Sequence, residues 1–154
     1  MQITLKDGVV KEYDSAMSVL DIARSISEGL ARNACAGLLD GEVVDVRTLV
    51  DHDCELQILT FQDEEGRLAF RHTAAHILAQ AVKRLFPEAK LAIGPAIQDG
   101  FYYDFDREEP FTPEDLEKLE AEMKKIAKEN LEIRRFTLPR AEAIALMQEK
   151  AEPY

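Results

Sequence analysis

Residues 1–30 read MQITLKDGVVKEYDSAMSVLDIARSISEGL, and the architecture of the first part of the chain turns on them. Ile3 and Leu5 alternate with polar neighbours, Asp7-Gly8 is the pair that a tight type I′ turn prefers, and Val9, Val10 and Tyr13 lie on the returning strand. The pattern predicts a hairpin. Ser18-Val19-Leu20-Asp21 then opens a helix in the manner of a capping box. Val19, Ile22, Ala23 and Ile26 follow at helical spacing, and Gly29 is placed as the stop after about two to three turns.

Working outward, residues 34–39, a second Asp-Gly turn at Asp40-Gly41 and residues 43–46 predict another hairpin, and Cys54, Leu56 and Ile58 alternate along a final strand. The order ββαβββ, with the last strand returning beside the first, is the β-grasp arrangement of ubiquitin. The period-2 segments give the sheet one apolar face, and the single helix has one apolar stripe to cover it. The acidic, Gly-terminated stretch at 62–66 marks a boundary, so the expected domains are 1–61 and 62–154.

The second part differs in kind. Leu68 to Phe86 carries a helical apolar period ended by Pro87, and residues 90–106 hold two short strands broken by Gly94-Pro95 and Asp99-Gly100. A further helix runs from the Thr112-Pro113-Glu114 start to about Asn130, followed by an expected strand over 131–138 and a third helix over 139–150. Three helices and about three strands make part of a layered α+β domain, so the expectation is a second domain that is truncated.

The 154 residues, 46% of them hydrophobic, can bury one ordinary core or two small ones. No apolar run approaches the roughly 20 residues of a membrane span, and the alternating N-terminus does not build a signal peptide. A cytoplasmic protein with no membrane partner is expected. Cys35 and Cys54 have no CxxC spacing and sit inside apolar segments, which reads as small buried hydrophobes with neither metal nor disulfide role. The net charge of -11 is shared between the halves, with 5 basic against 11 acidic residues in 1–61 and 14 against 19 in 62–154. Nucleic acid gripped by bulk attraction is therefore disfavoured. Basic residues do cluster at Lys83 and Arg84, at Lys124, Lys125 and Lys128, and at Arg134, Arg135 and Arg140. A solvated helix face is the preferred reading of these clusters over phosphate contact.

The chemistry concentrates in Arg71-His72-Thr73-Ala74-Ala75-His76. Two histidines four apart on a helix project from one face, one turn apart. They can supply two imidazoles to zinc if other residues complete the site, or line a pocket with a base and a hydrogen-bonding partner. They can equally be ordinary, partly buried residues beside the apolar stripe. Thr73 stands where an HExxH protease has its glutamate, which disfavours a metalloprotease. His52, between Asp51 and Asp53, reads as a surface residue. In the segment from Gly94 to Asp104, aromatics packed against turn glycines can form a platform for a nucleotide base, although a Tyr-Tyr pair on a strand sends one ring inward and one outward.

Taken in order, these segments carry a family resemblance. The β-grasp region resembles a TGS domain, and HTAAH at 72–76 resembles the H-T-x-x-H segment shared by the editing domains of threonyl- and alanyl-tRNA synthetases. LAIGPAIQDGFYYDFD at 91–106 resembles the G-P-x-x-x-x-G-F-Y-Y-D segment of the threonyl editing domain. The whole chain is similar to the N-terminal region of the threonyl-tRNA synthetase family, class II aminoacyl-tRNA synthetases. The fold implied is α+β: a β-grasp TGS domain followed by a truncated editing domain.

The activity implied is that of a threonine-tRNA ligase that also hydrolyses seryl-tRNA(Thr), with this region contacting the tRNA acceptor end. Threonine and serine differ by one methyl, worth only about 1–3 kcal/mol of discrimination, so a ligase needs a second, hydrolytic site. By the resemblance, His72 and His76 are the paired catalytic histidines of that site, orienting water or the terminal ribose, and Tyr103 and Tyr102 bind substrate. In the family the other half of the site is a later Cys-x-x-x-His segment. It is absent from these residues, so the fragment alone is expected to be inactive and to hold no metal or other cofactor. The family's ATP, Mg and Zn belong to the class II catalytic domain, and its implied partners are tRNA(Thr), the rest of the synthetase chain and a second subunit in a homodimer.

Two rival readings are a TGS-containing RNA-binding or regulatory module without enzymatic activity, and a free-standing editing hydrolase. A regulatory protein would continue after residue 66 into a GTP-binding or (p)ppGpp-handling domain instead of HTAAH and GFYYD, and the hydrolase would need the Cys-x-x-x-His half. With no class II motif present, the chain should not form threonyl-adenylate. Threonine-dependent pyrophosphate exchange should stay at background, and exchange above it would overturn that expectation.

Overall fold

The computed structural model describes residues 1–134 and 136–153. The first hairpin pairs β1 (Gln2–Leu5) with β2 (Val10–Glu12) antiparallel, Ile3 opposite Lys11 and Thr4 opposite Val10. Its turn is not the expected type I′. Gly8 donates to the Leu5 carbonyl and Leu5 to the Val9 carbonyl, both at 2.8 Å, and Gly8 alone in the loop takes a left-handed φ of 81°. This is a three-residue loop closed by a left-handed glycine. The type I′ geometry occurs instead at Asp40-Gly41, with φ of 47° and 87°.

The helix α1 comprises Val19–Ile26, and the Ser18 hydroxyl accepts the Asp21 N–H at 3.1 Å, as the capping pattern predicts. It stops before the expected Gly29. Ser27 turns extended and caps a second short helix, α2 (Glu28–Asn33), by accepting the Leu30 N–H at 3.0 Å, so Gly29 lies inside α2. Just before α1, β3 (Met17–Ser18) pairs with β6 (Leu49–Val50). That ladder joins residues far apart in sequence, and no local signal announces it. Beyond α2 come β4 (Ala34–Leu39), β5 (Glu42–Val44) and β7 (Cys54–Thr60). The sheet order β2-β1-β7-β4-β5, with β1 and β7 parallel, is the predicted β-grasp.

Ile3, Val19, Ile22, Val50, Cys54 and Leu56 form the buried core between helix and sheet. Cys54 is thus a core residue and Cys35 is half-buried. Burial raises both thiol pKa values, assisted at Cys35 by Asp63 and at Cys54 by Asp40 and Asp53. The raised values favour the protonated thiol at both positions.

The chain divides into two compact units, Met1–Arg71 and His72–Tyr154, and the dividing line falls inside α3 (Glu64–Leu85). The acidic stretch at 62–66 is the lead-in and first turn of that helix. Asp63 accepts the Thr60 N–H at 2.8 Å, the Thr60 hydroxyl at 3.2 Å and the Gln57 amide at 3.2 Å. The bond from the Thr60 backbone is the main reason its carboxyl pKa is lowered. Gly66 is buried against the same residue: a Cβ there would lie 1.9 Å from the Thr60 carbonyl oxygen.

In the second unit the residues expected as two strands form four short ones, β8 (Lys90–Leu91), β9 (Ala96–Ile97), β10 (Gly100–Phe101) and β11 (Phe105–Asp106). β8 pairs with β11 and β9 with β10, while Ala92 donates to the Asp104 carbonyl and Asp104 to that of Ile93. The whole is one antiparallel arm interrupted at Gly94-Pro95. The helix α4 (Pro113–Glu129) has the predicted Thr112 cap, completed by Asp115 as a capping box, and ends at a left-handed Asn130. Leu119 and Ile126 of α4 pack with Ala81 and Val82 of α3, joined by Phe86, Phe105 and Phe111.

No strand forms among the described residues of the expected strand over 131–138, of which residue 135 lies outside the described residues. Among its described residues no ladder partner is present, and Leu131, Ile133 and Phe136 are exposed. A strand without a neighbour has no hydrogen bonds to hold it. The helix α5 (Arg140–Glu149) forms as predicted, but none of its residues is buried.

The Gly66 contact yields a stability test. Gly66→Ala should lower stability by about 1–3 kcal/mol in urea denaturation followed by circular dichroism, because the new methyl meets backbone that cannot move aside. An unchanged midpoint would show that the contact between α3 and Thr60 is loose.

Candidate functional site

The helix α3 turns Ala75, Ala79 and Val82 inward and leaves His72, Thr73 and His76 on its exposed side. Four residues of helical rise bring the two imidazoles together edge to face. Their ring centroids are 4.5 Å apart, their planes are at 89°, and Nε2 of His76 lies 3.0 Å from Nε2 of His72. One Nε2 therefore carries the proton and the other accepts it. The spacing has electrostatic consequences. Partial burial first, and the charge His72 would carry second, push the His76 pKa below its ordinary 6.5. A second proton on the pair would set two N–H groups against each other, which disfavours charging His76.

The two tyrosines, in the extended segment between β10 and β11, differ in exposure. Tyr102 is 48% exposed, whereas Tyr103 is half-buried and stacks on Phe105 at 4.7 Å with planes at 18°. Burial, then the negative Glu152, raises the Tyr103 phenol pKa. Glu152 is itself fixed. Burial opposes its ionisation, yet Lys83 at 2.7 Å and the Leu91 N–H at 3.2 Å keep its pKa low. Among the described residues, no hydrogen bond or ring contact joins the histidine pair to either tyrosine, so the structure shows two separate features in this unit. Nor do the described residues include a group of three or more His, Cys, Asp and Glu side chains placed to hold a metal.

The basic clusters are largely taken up within the unit. Lys83 also donates to the Pro87 and Ala89 carbonyls, and Arg84 forms a two-pronged pair with Glu129 at 2.7 Å besides a contact to Glu122 at 3.1 Å. Those hydrogen bonds raise the Arg84 pKa above its ordinary value. Lys124 pairs with Glu120, Lys125 with Glu122 and Arg134 with Glu132, while Arg135 lies outside the described residues.

Sequence reasoning missed Arg107. Its guanidinium lies over the rings of Phe86 and Phe111, 4.4 and 5.0 Å from their centroids, and within 3.7 Å of Asp115. The neighbouring aromatics were visible in the sequence, but their convergence on this one cation required the packing of three elements. His52 is exposed, as read. It bridges Asp51 at 2.9 Å and Asp40 at 3.5 Å, and the Asp51 hydrogen bond chiefly raises its pKa.

Comparison with known proteins places these features. Residues 1–60 match the TGS domain family. Over all 154 residues the chain is 60% identical to the threonine-tRNA ligase of Clostridioides difficile (strain 630), 62% to that of Acetivibrio thermocellus and 61% to that of Clostridium perfringens. The match takes in 100% of this chain and 24% of each relative, so the chain spans about a quarter of the length of the curated relatives it matches. It corresponds to the N-terminal, TGS-bearing region of threonine-tRNA ligases.

The geometry of the pair predicts its titration. In NMR spectra His76 should titrate below pH 6.5, and His72→Gln should move its midpoint upward but not fully back, since burial remains. Because the folded-state value is the lower one, the unfolded chain takes up the proton first. The stability at stake is therefore lost as pH falls from about 6.5 through the folded midpoint. A His76 midpoint at or above 6.5 would contradict the close, partly desolvated pairing.

Proposed function

We propose that this chain works as the N-terminal region of a threonine-tRNA ligase and supplies one half of a hydrolytic site that removes serine from mischarged tRNA(Thr). The observation that carries the proposal is the exposed His72–His76 pair, with Nε2 atoms 3.0 Å apart, in a chain similar over its full length to threonine-tRNA ligases. A donor and an acceptor set side by side at neutral pH suit the orientation of an attacking water and of the 3′-terminal ribose that carries the amino acid. The lowered His76 pKa favours its neutral ring. Tyr103, anchored by its stack on Phe105, and the exposed Tyr102 provide flat faces for the terminal nucleoside.

The ligation chemistry, with its ATP, Mg and Zn, belongs in this reading to another part of the ligase, as do the homodimer contacts. The site is completed there too, so these residues alone are inactive in deacylation. A cytoplasmic setting accords with the absence, among the described residues, of any helix long and apolar enough to cross a membrane. The physical need for the site is the single methyl that separates serine from threonine. The regulatory-module reading gains no support past residue 60, since the match to the ligases extends over all 154 residues whereas the TGS match ends at residue 60.

In the complete ligase, His72→Ala and His76→Ala should each slow deacylation of seryl-tRNA(Thr) by about 10²-fold or more, in the range expected for loss of a positioned acid or base. Threonine activation should stay nearly unchanged. Native deacylation rates in both variants would remove the histidines from the mechanism.

A further inference from the structure

We infer that Gly94 is a positioning residue for Tyr103, an inference that rests on the editing function proposed above. A Cβ built on Gly94 would lie 2.1 Å from Cδ2, 2.4 Å from Cε2 and 2.7 Å from Cγ of the Tyr103 ring. No pair of unbonded carbon atoms tolerates such distances, so the ring occupies the space that any other residue at 94 would fill. The glycine is needed for close approach.

The opposite constraint comes from Phe105, stacked on the same ring at 4.7 Å and 18°. Phe105 in turn meets Phe111 edge to face at 5.7 Å, and Phe111 meets Phe86 at 5.4 Å. Tyr103 is thus the outermost member of an aromatic row rooted in the core of its unit. It is clamped between a side chain that cannot yield and a position that has none. The interruption of the antiparallel arm at Gly94-Pro95 serves this packing, because there the strand gives way to the ring from across the arm. Gly94 touches no substrate in this account and acts only through the angle and depth at which it lets Tyr103 sit.

Gly94→Ala forces the ring off the stack. On this chain, NMR of ring-labelled tyrosine reads the geometry directly. The Tyr103 signals, identified by their loss in Tyr103→Phe, should lose the ring-current shift of the Phe105 stack. In the complete ligase, Gly94→Ala should slow seryl-tRNA(Thr) deacylation about 10²-fold, a cost typical of misplacing a site group by about 1 Å, chiefly through kcat and with threonine activation intact. Tyr103→Ala should be comparably slow, and Gly94→Ala/Tyr103→Ala no slower than Tyr103→Ala, since the methyl then enters vacated space.

Should Gly94→Ala fail to fold, the double variant should fold, and its failure would overturn the packing argument. Unmoved ring signals would overturn the proposal. So would a displaced ring with native deacylation, or a double variant slower than Tyr103→Ala by the full factor of Gly94→Ala. Native deacylation by Tyr103→Ala beside slow deacylation by His72→Ala would overturn this inference and leave the editing function standing. Native rates in both would overturn both.

Discussion

The pairing of β7 with β1 on one side and β4 on the other organises the first unit. The β1–β7 contact is parallel, the β4–β7 contact antiparallel, and together they return the last strand to the first, so that Ile3 and Leu56 share one core beneath α1. Without them the two hairpins would be separate ribbons, each too small to be stable in water. The same strand ends at Thr60, whose backbone and hydroxyl are held by Asp63 and whose carbonyl needs a glycine at 66. The start of α3 is therefore specified by the end of β7.

Much of this was legible in the sequence, for reasons that are local. Ser18 and Thr112 announce their helices because a cap needs only three residues, and the alternation in 54–58 marks a strand because one face is buried. The errors lie where the deciding contact is distant or the competing local choice is close in energy. The break at Ser27 belongs to a serine that ends one helix and begins the next, a choice hidden beside a glycine with an equally good claim. The β3–β6 ladder joins residues 17–18 to 49–50 and leaves no pattern in either pair. Residues 131–138 have the alternation of a strand but, among those described, no partner, and pattern alone does not supply hydrogen bonds.

For the candidate site, the histidine pair was readable because helical periodicity alone sets two side chains four residues apart on one face. The differing exposure of Tyr102 and Tyr103 was readable from the alternation of an extended segment. Their roles were not, since spacing fixes direction but not environment. That Tyr103 is braced by Phe105 and by an empty position at 94, or that Arg107 sits over two rings, follows from packing among elements that the sequence presents one at a time.

The ion pairs at Lys83, Arg84, Lys124 and Lys125 carry a thermodynamic implication. Binding to a polyanion usually draws its strength from displaced counterions, which requires cations whose charge is not already matched by the protein's own carboxylates. These cations are matched, and the chain as a whole carries a charge of -11. Four cations held in this way have few counterions to set free.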